Sequence, residues 1–220
     1  MTQQYFKAAI FDLDGVIADT ARFHFLAWQS IADDEGFSLP AVVDDRVKGV
    51  DRMASLNIVL EYAGRTYSDA EKEALAAQKN ERYVKLIAGL TPADLLPGAQ
   101  LLLDRLRVDG IGIGLASASR NALPVLKALG IFEHFNTIAD ANYISHPKPH
   151  PEIFLTAADG LGVSPADCLG FEDAEAGITA IKAAGMTAVG VGSAELLREA
   201  DDIVSDLTAF DYDRYFRTLI

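Results

Sequence analysis

The chain has 220 residues, half of them hydrophobic, and a formal net charge of −13. That length supports one buried core with a modest insertion, and the acidic balance excludes nucleic acid and anionic membrane surfaces as expected partners. Cys168 is the lone cysteine, no apolar run approaches the roughly 20 residues of a membrane span, and no basic-then-apolar N-terminal signal is read, so a cytoplasmic protein without an internal disulfide is expected.

Residues 6–11 form a short apolar run that reads as a buried strand. It leads straight into Asp12-Leu13-Asp14-Gly15. Side chains two apart on a strand share a face, so Asp12 and Asp14 can converge at the carboxyl edge, where open α/β sheets bind ligands. An ordinary Asp-Gly turn is the plainer alternative. From about residue 20 to residue 87 the periodicity is helical, over 21–34, 54–62 and 69–87, with Ser68 as the N-cap of the last. No strand alternation interrupts it, which implies an all-helical insertion between the first strand and the rest of a sheet. Residues 19–20 on one side and 90–97 on the other read as the two crossings of a hinge.

After Gly98 the rhythm changes to helix and strand in turn. Helices are predicted over 99–108, 121–129, 151–161 and 174–184, and strands over 111–116, 137–139, 168–171 and 187–191. Such alternation implies a doubly wound parallel sheet, so the fold class is α/β, a Rossmann-like core with an inserted all-helical cap. The division expected is residues 1–18 and 92–220 for the core and 19–91 for the cap. Beyond Leu196 a terminal helix and an edge strand near Ile203 are expected, without a functional role. Gly190-Val191-Gly192 is a strand-end turn rather than a dinucleotide fingerprint, and no phosphate-binding loop of the Gly-x-x-x-x-Gly-Lys kind occurs.

Two further strand ends and a segment before a predicted helix carry chemistry. Ser117 closes the run at 111–116, Lys148 lies in His146-Pro147-Lys148-Pro149, and Glu172-Asp173 follow the run at 168–171. An Asp-x-Asp, a Ser, a Lys and an acidic pair in that order resemble the four motifs of the haloacid dehalogenase superfamily. The resemblance covers nearly the whole chain and is weakest after Gly192. It is closest to the sugar-phosphate mutase branch, through residues 6–28, 48–52, 117–119 and 148–149.

That resemblance implies an intramolecular phosphotransferase interconverting beta-D-glucose 1-phosphate and D-glucose 6-phosphate. An aspartyl-phosphate and glucose 1,6-bisphosphate, the phosphoryl donor, would be its intermediates; a Mg2+-dependent sugar-phosphate phosphatase is the alternative. Asp12 would be the nucleophile and Asp14 the general acid and base. Mg2+ would be held by Asp12, the backbone carbonyl of Asp14, Glu172 and Asp173. Lys148 and Ser117 would bind the transferring phosphoryl group, and a cis Lys148-Pro149 peptide is implied. Arg52 would grip the second phosphate with Ser119, Arg120 and Asn121, the family's usual Lys being Arg120 here. His24 and Lys79 would sit near the sugar and Asp14, and Gly49, Ala118 and Trp28 complete the expected substrate-binding set. On its residues alone Trp28 reads as cap core, and Arg52 and Arg120 as surface bases. Ala18 replaces the family's frequent Thr, so a hinge role for that hydroxyl is not expected. His134, His146 and His150 belong to no motif. Partners would be small sugar phosphates only, and a monomer is expected.

Overall fold

The apolar run before Asp12 becomes strand β1 (Ala8–Phe11), buried along its whole length. In the computed structural model, which describes residues 5–216, it is the middle of the sheet. Residues 1–4 and 217–220, which the expected core division includes, lie outside the described residues. Helices α1 (Ala21–Asp34), α2 (Val42–Val47), α3 (Arg52–Leu60) and α4 (Asp69–Ile87) follow. Then come α5 (Ala99–Val108), β2 (Gly112–Leu115), α6 (Ala122–Ala128), β3 (Thr137–Ile138) and α7 (Glu152–Leu161). Strand β4 (Cys168–Glu172), α8 (Glu175–Ala183), β5 (Thr187–Val191), β6 (Asp202–Val204) and α9 (Tyr212–Tyr215) complete the described chain.

All pairings are parallel and the strand order is β3-β2-β1-β4-β5-β6. The chain leaves β1 on one side toward β2 and β3 and later returns on the other through β4. The carboxyl ends of β1, β2 and β4 therefore flank the crevice where doubly wound sheets bind ligands. The pleat sorts the core onto two faces. Ala9 and Phe11 pack with Leu115, Phe171, Leu103 and Leu126 on one face, while Ala8 and Ile10 pack with Cys168, Ala188, Phe154 and Ile181 on the other. Cys168 is a small apolar filler there.

The helical segment between β1 and α5 has an apolar cluster of its own, built from Trp28, Ile31, Val43, Val47, Leu56, Val59 and Leu75. Ala27, Tyr83 and Ile87 instead join the cluster on the sheet. The chain enters and leaves this segment side by side: Ala18 bridges Leu95, the Asp19 amide donates to the Asp94 carbonyl at 3.2 Å, and the Leu96 amide donates to the Ile17 carbonyl at 2.9 Å.

Several element ends differ from expectation. Helix α3 starts at Arg52 rather than 54, because the Asp51 carboxylate caps it by accepting the Met53 and Ala54 amides at 2.8 and 3.2 Å. Helix α2 was not expected; it is under two turns long and buries only Val43 and Val47. Near Leu196 there are turns instead of a helix, and β6 follows as the expected edge strand. Ser68 caps α4 in a reciprocal box with Glu71, as expected.

Candidate active site

Strand β1 delivers Asp12 to the crevice, and the Asp12 amide donates to the Phe171 carbonyl at 3.0 Å. The chain then turns at Gly15, whose φ of 87° favours glycine. A Cβ there would lie 2.1 Å from Asp173 Oδ2, so no side chain fits between the two acidic loops. From the far side of the crevice Lys148 reaches in, and its Nζ donates to Asp12 Oδ1 at 2.6 Å and to Glu172 Oε2 at 2.8 Å. The Lys148-Pro149 peptide is cis, as the resemblance implied. Helix α8 supports Glu172 closely: a Cβ on Gly177 would meet its carboxyl carbon at 2.0 Å. Ser117, at the end of β2, has its Oγ 3.5 Å from Asp14 Oδ2 and accepts the Ser119 amide at 3.1 Å.

Three carboxylates, those of Asp12, Glu172 and Asp173, converge with one oxygen of each within 4.8 Å of the others. Burial pushes Asp12 up to about 8 against the pull of Lys148, and Glu172 and Asp14 add to the rise. Asp173 is raised well above its ordinary range by burial, then by Glu172 and Asp12. Burial would discharge Lys148, but Asp12 and Glu172 hold it above the usual lysine value. One lysine thus faces more buried acid than it can neutralise. An all-oxygen donor set with surplus negative charge fits a hard divalent cation, whose binding would keep these groups ionised.

Helices α1 and α4 cover the acids. His24 Nε2 lies 3.4 Å from Asp14 Oδ1, and His24 Nδ1 lies 2.7 Å from Lys79 Nζ. Burial raises Asp14, yet the charge and hydrogen bond of His24, with Thr20 and Lys79, bring it below its ordinary value. Lys79 is pushed down to about 7 by burial and by the Arg52 charge. It lies over the rings of Trp28 and Tyr83, 4.8 and 4.9 Å from their centroids, and Tyr83 stacks against His24 at 3.9 Å. Trp28 is buried in the apolar cluster of the helical segment and also lines the cavity that holds Asp12.

That cavity also carries basic groups. Gly49, Arg52, Lys79, Ala118, Ser119, Arg120 and Asn121 line it together with Asp12, Asp14 and His24. Among the described residues neither Arg52 nor Arg120 is paired with a carboxylate, and the two guanidiniums repel each other. Arg52 instead donates to Asn80 Oδ1 at 2.8 Å, and Asn121 Nδ2 donates to the same oxygen at 2.9 Å. Asn80 was not anticipated, although it follows Lys79 directly and was legible only as its neighbour. Tyr83 was also missed, having the look of one more apolar position of α4. Lys148 borders a neighbouring pocket with Arg52, Ala118 and Arg120, so the basic groups and the acidic cluster adjoin. His134 pairs with Asp104 at 2.8 Å, and His146 and His150 are exposed, all outside the cavity.

Residues 6–185 match the haloacid dehalogenase-like hydrolase family. A beta-phosphoglucomutase of Bacillus subtilis is 51% identical over 207 residues, covering 92% of each chain. A fructose-1-phosphate phosphatase of Escherichia coli is 32% identical over 188 residues, covering 84% of this chain and 96% of the relative. The crystal structure of a Clostridium difficile beta-phosphoglucomutase superposes with a TM-score of 0.91 at 45% identity, covering 94% of each chain. The strand ends that carry Asp12, Ser117 and the acidic pair, and the loop that carries Lys148, all fall inside the matched residues, and the order of their motifs is unbroken. This chain belongs to the haloacid dehalogenase-like hydrolase family.

Proposed function

We propose that this chain is a beta-phosphoglucomutase. It interconverts beta-D-glucose 1-phosphate and D-glucose 6-phosphate through an aspartyl-phosphate and a glucose 1,6-bisphosphate. The observation that carries the reading is one cavity lined both by Asp12 and by two guanidiniums, Arg52 and Arg120, that no carboxylate pairs among the described residues. A phosphatase needs only the first. A sugar bisphosphate that must turn around needs a phosphate-binding site at both, and the 51% identical relative bears the mutase name.

In this reading residues 19–91 form a cap and residues 1–18 and 92–220 a core. Asp12 attacks phosphorus, the bond to the leaving oxygen breaks, and an acyl-phosphate remains on Asp12. Lys148, held between Asp12 and Glu172, places its charge beside the transferring phosphoryl oxygens, and Ser117 donates a hydrogen bond to them. Asp14 starts ionised, in line with its lowered pKa, accepts the proton of the sugar hydroxyl that attacks the acyl-phosphate, and gives that proton to the leaving sugar oxygen when Asp12 attacks the bisphosphate. His24 and Lys79 hold Asp14 and the sugar. Arg52, Arg120, Ser119 and Asn121 grip the phosphate that is not moving. Asp12, Glu172, Asp173 and the Asp14 carbonyl would hold Mg2+, which neutralises phosphoryl charge and orients it for in-line attack.

The test is a product partition. With beta-glucose 1-phosphate, Mg2+ and a trace of glucose 1,6-bisphosphate, glucose 6-phosphate should be the dominant product. Predominant release of free phosphate would move the assignment to a sugar-phosphate phosphatase.

A further inference from the structure

The loop that carries Lys148 also gathers side chains that the reaction does not use. Its sequence alternates, Ser145-His146-Pro147-Lys148-Pro149-His150-Pro151-Glu152, so a proline fixes φ at every second position from 147 to 151. Glu152, at the start of α7, ties the loop shut. Its carboxylate accepts the Ser145 amide at 2.8 Å and the His146 amide at 2.9 Å, and the His150 amide donates to the Pro147 carbonyl at 3.0 Å. Lys148 points inward to the acids, while His146 and His150 stand on the outer side, exposed.

Those two imidazoles are neighbours. Their ring centroids are 4.6 Å apart, His146 Nδ1 lies 2.7 Å from Glu152 Oε2, and His150 Nδ1 accepts the Glu152 amide at 3.3 Å. One ligand atom from each of His146, His150 and Glu152 falls within 4.8 Å of the other two. Two imidazole nitrogens and a carboxylate are the donors of an open four-coordinate site, in which solvent supplies the last position. The donor set differs in kind from the cluster at Asp12, Glu172 and Asp173, which is all oxygen. Imidazole selects borderline cations, while carboxylate and carbonyl oxygens suit Mg2+. The same carboxylate that orients His146 also closes the loop, so the three donors are positioned before any ion arrives.

We propose that His146, His150 and Glu152 form a second metal site, on the outer face of the Lys148 loop. It would take a borderline divalent transition cation such as Ni2+ or Zn2+ rather than Mg2+. The affinity order follows the Irving–Williams series, with Ni2+ above Co2+ and Co2+ above Mn2+.

The chain has four histidines, which makes the test direct. The intact 15N-labelled protein is saturated with Mg2+ at mildly alkaline pH, where imidazole is neutral. Paramagnetic Ni2+ is then added below one equivalent while the imidazole 1H–15N signals are followed. Signals of His146 and His150 should broaden first, with those of His24 and His134 unaffected. A tenfold further excess of Mg2+ should not restore the lost signals. His150→Gln should weaken Ni2+ binding by about tenfold or more and spare the His146 signal at the same dose. Both side chains are exposed, so the variant folds as the parent does, and an unchanged amide spectrum elsewhere checks this. The proposal fails if His24 broadens first, which would place the ion at the acidic cluster. It also fails if all four signals fade together, if Mg2+ displaces the ion, or if His150→Gln binds Ni2+ as tightly as the parent.

Discussion

At the scale of single residues, the two aspartates at the end of β1 have separate environments and should fail separately. Asp12 is bonded to Lys148 and raised by burial, while Asp14 faces His24 and is lowered. Asp12→Asn cannot form the acyl-phosphate and should abolish turnover with every donor. Asp14→Asn keeps the nucleophile, so phosphorylation by acetyl phosphate should persist, while transfer to a sugar hydroxyl falls by roughly two to four orders of magnitude. Equal losses with both donors would remove the division of labour. Asn80 offers a second test, because its Oδ1 links Arg52 to Asn121. Asn80→Ala should raise KM for the sugar phosphate about tenfold with little change in acetyl phosphate chemistry, since its loss frees Arg52 without touching Asp12; a single hydrogen bond to a charged group is worth about 1.5–3 kcal/mol.

Lys79 carries a pH signature. Its pKa falls from 10.5 in the unfolded chain to about 7 in the fold. Between those values the unfolded chain holds a proton that the folded one lacks, so stability gains from this residue as pH rises from about 7 toward 10.5 and is flat below. Lys79→Met removes that dependence. Denaturant melts of parent and variant should differ most at or below neutral pH, with the variant the more stable, and should converge toward pH 10.5. A difference independent of pH would show that Lys79 is charged in the fold.

At the scale of elements, caps decide where the functional side chains stand. Asp51 caps α3 and makes Arg52 its first residue, which turns the guanidinium toward the cavity. Ser68 and Glu71 close a reciprocal box on α4, the helix that carries Lys79, Asn80 and Tyr83. Ser68→Ala should cost about 1 kcal/mol in chemical denaturation; an unchanged midpoint would contradict the cap's role. Strands β1, β2 and β4 were legible because each is a short, largely buried apolar run that leads into an acid or a hydroxyl, at Asp12, Ser117 and Glu172. Helix α2 was not, since Val43 and Val47 alone make too short a pattern to rise above its acidic neighbours. The start of α3 was missed because the periodicity begins after Arg52, while the signal that fixes it is the single carboxylate of Asp51. Asn80 and Tyr83 escaped because their roles exist only once α4 lies across the sheet edge. The alternation of proline and histidine from 146 to 151 was visible, but the convergence of its side chains depends on the fold of the loop.

At the scale of the whole molecule, a chain with a net charge of −13 concentrates cations in one place. Lys48, Arg52, Lys79 and Arg120 line the cavity, and Lys148 is bonded to Asp12. The basic groups of the lining share it with Asp12, Asp14 and Asp44, and in the proposed function the cations divide by role, with Lys148 at the reacting phosphate and Arg52 at the other. No helix among the described residues is long and apolar enough to cross a membrane. In the proposed function the helical segment would swing on the sheet at the paired crossings of Ala18 and Leu95. Remote binding energy at Arg52 would then hold it closed, orienting the sugar and excluding water.

Paired kinetics on Arg52→Ala test this two-phosphate site most directly. With beta-glucose 1-phosphate the variant's kcat/KM should fall by orders of magnitude, and Arg52→Lys should recover only part, since an ammonium lacks the planar fork. With acetyl phosphate, which has no second phosphate, formation of the Asp12 acyl-phosphate and its slow hydrolysis should be nearly those of the parent. Parental mutase activity in Arg52→Ala would contradict the account, as would an equal loss with both substrates.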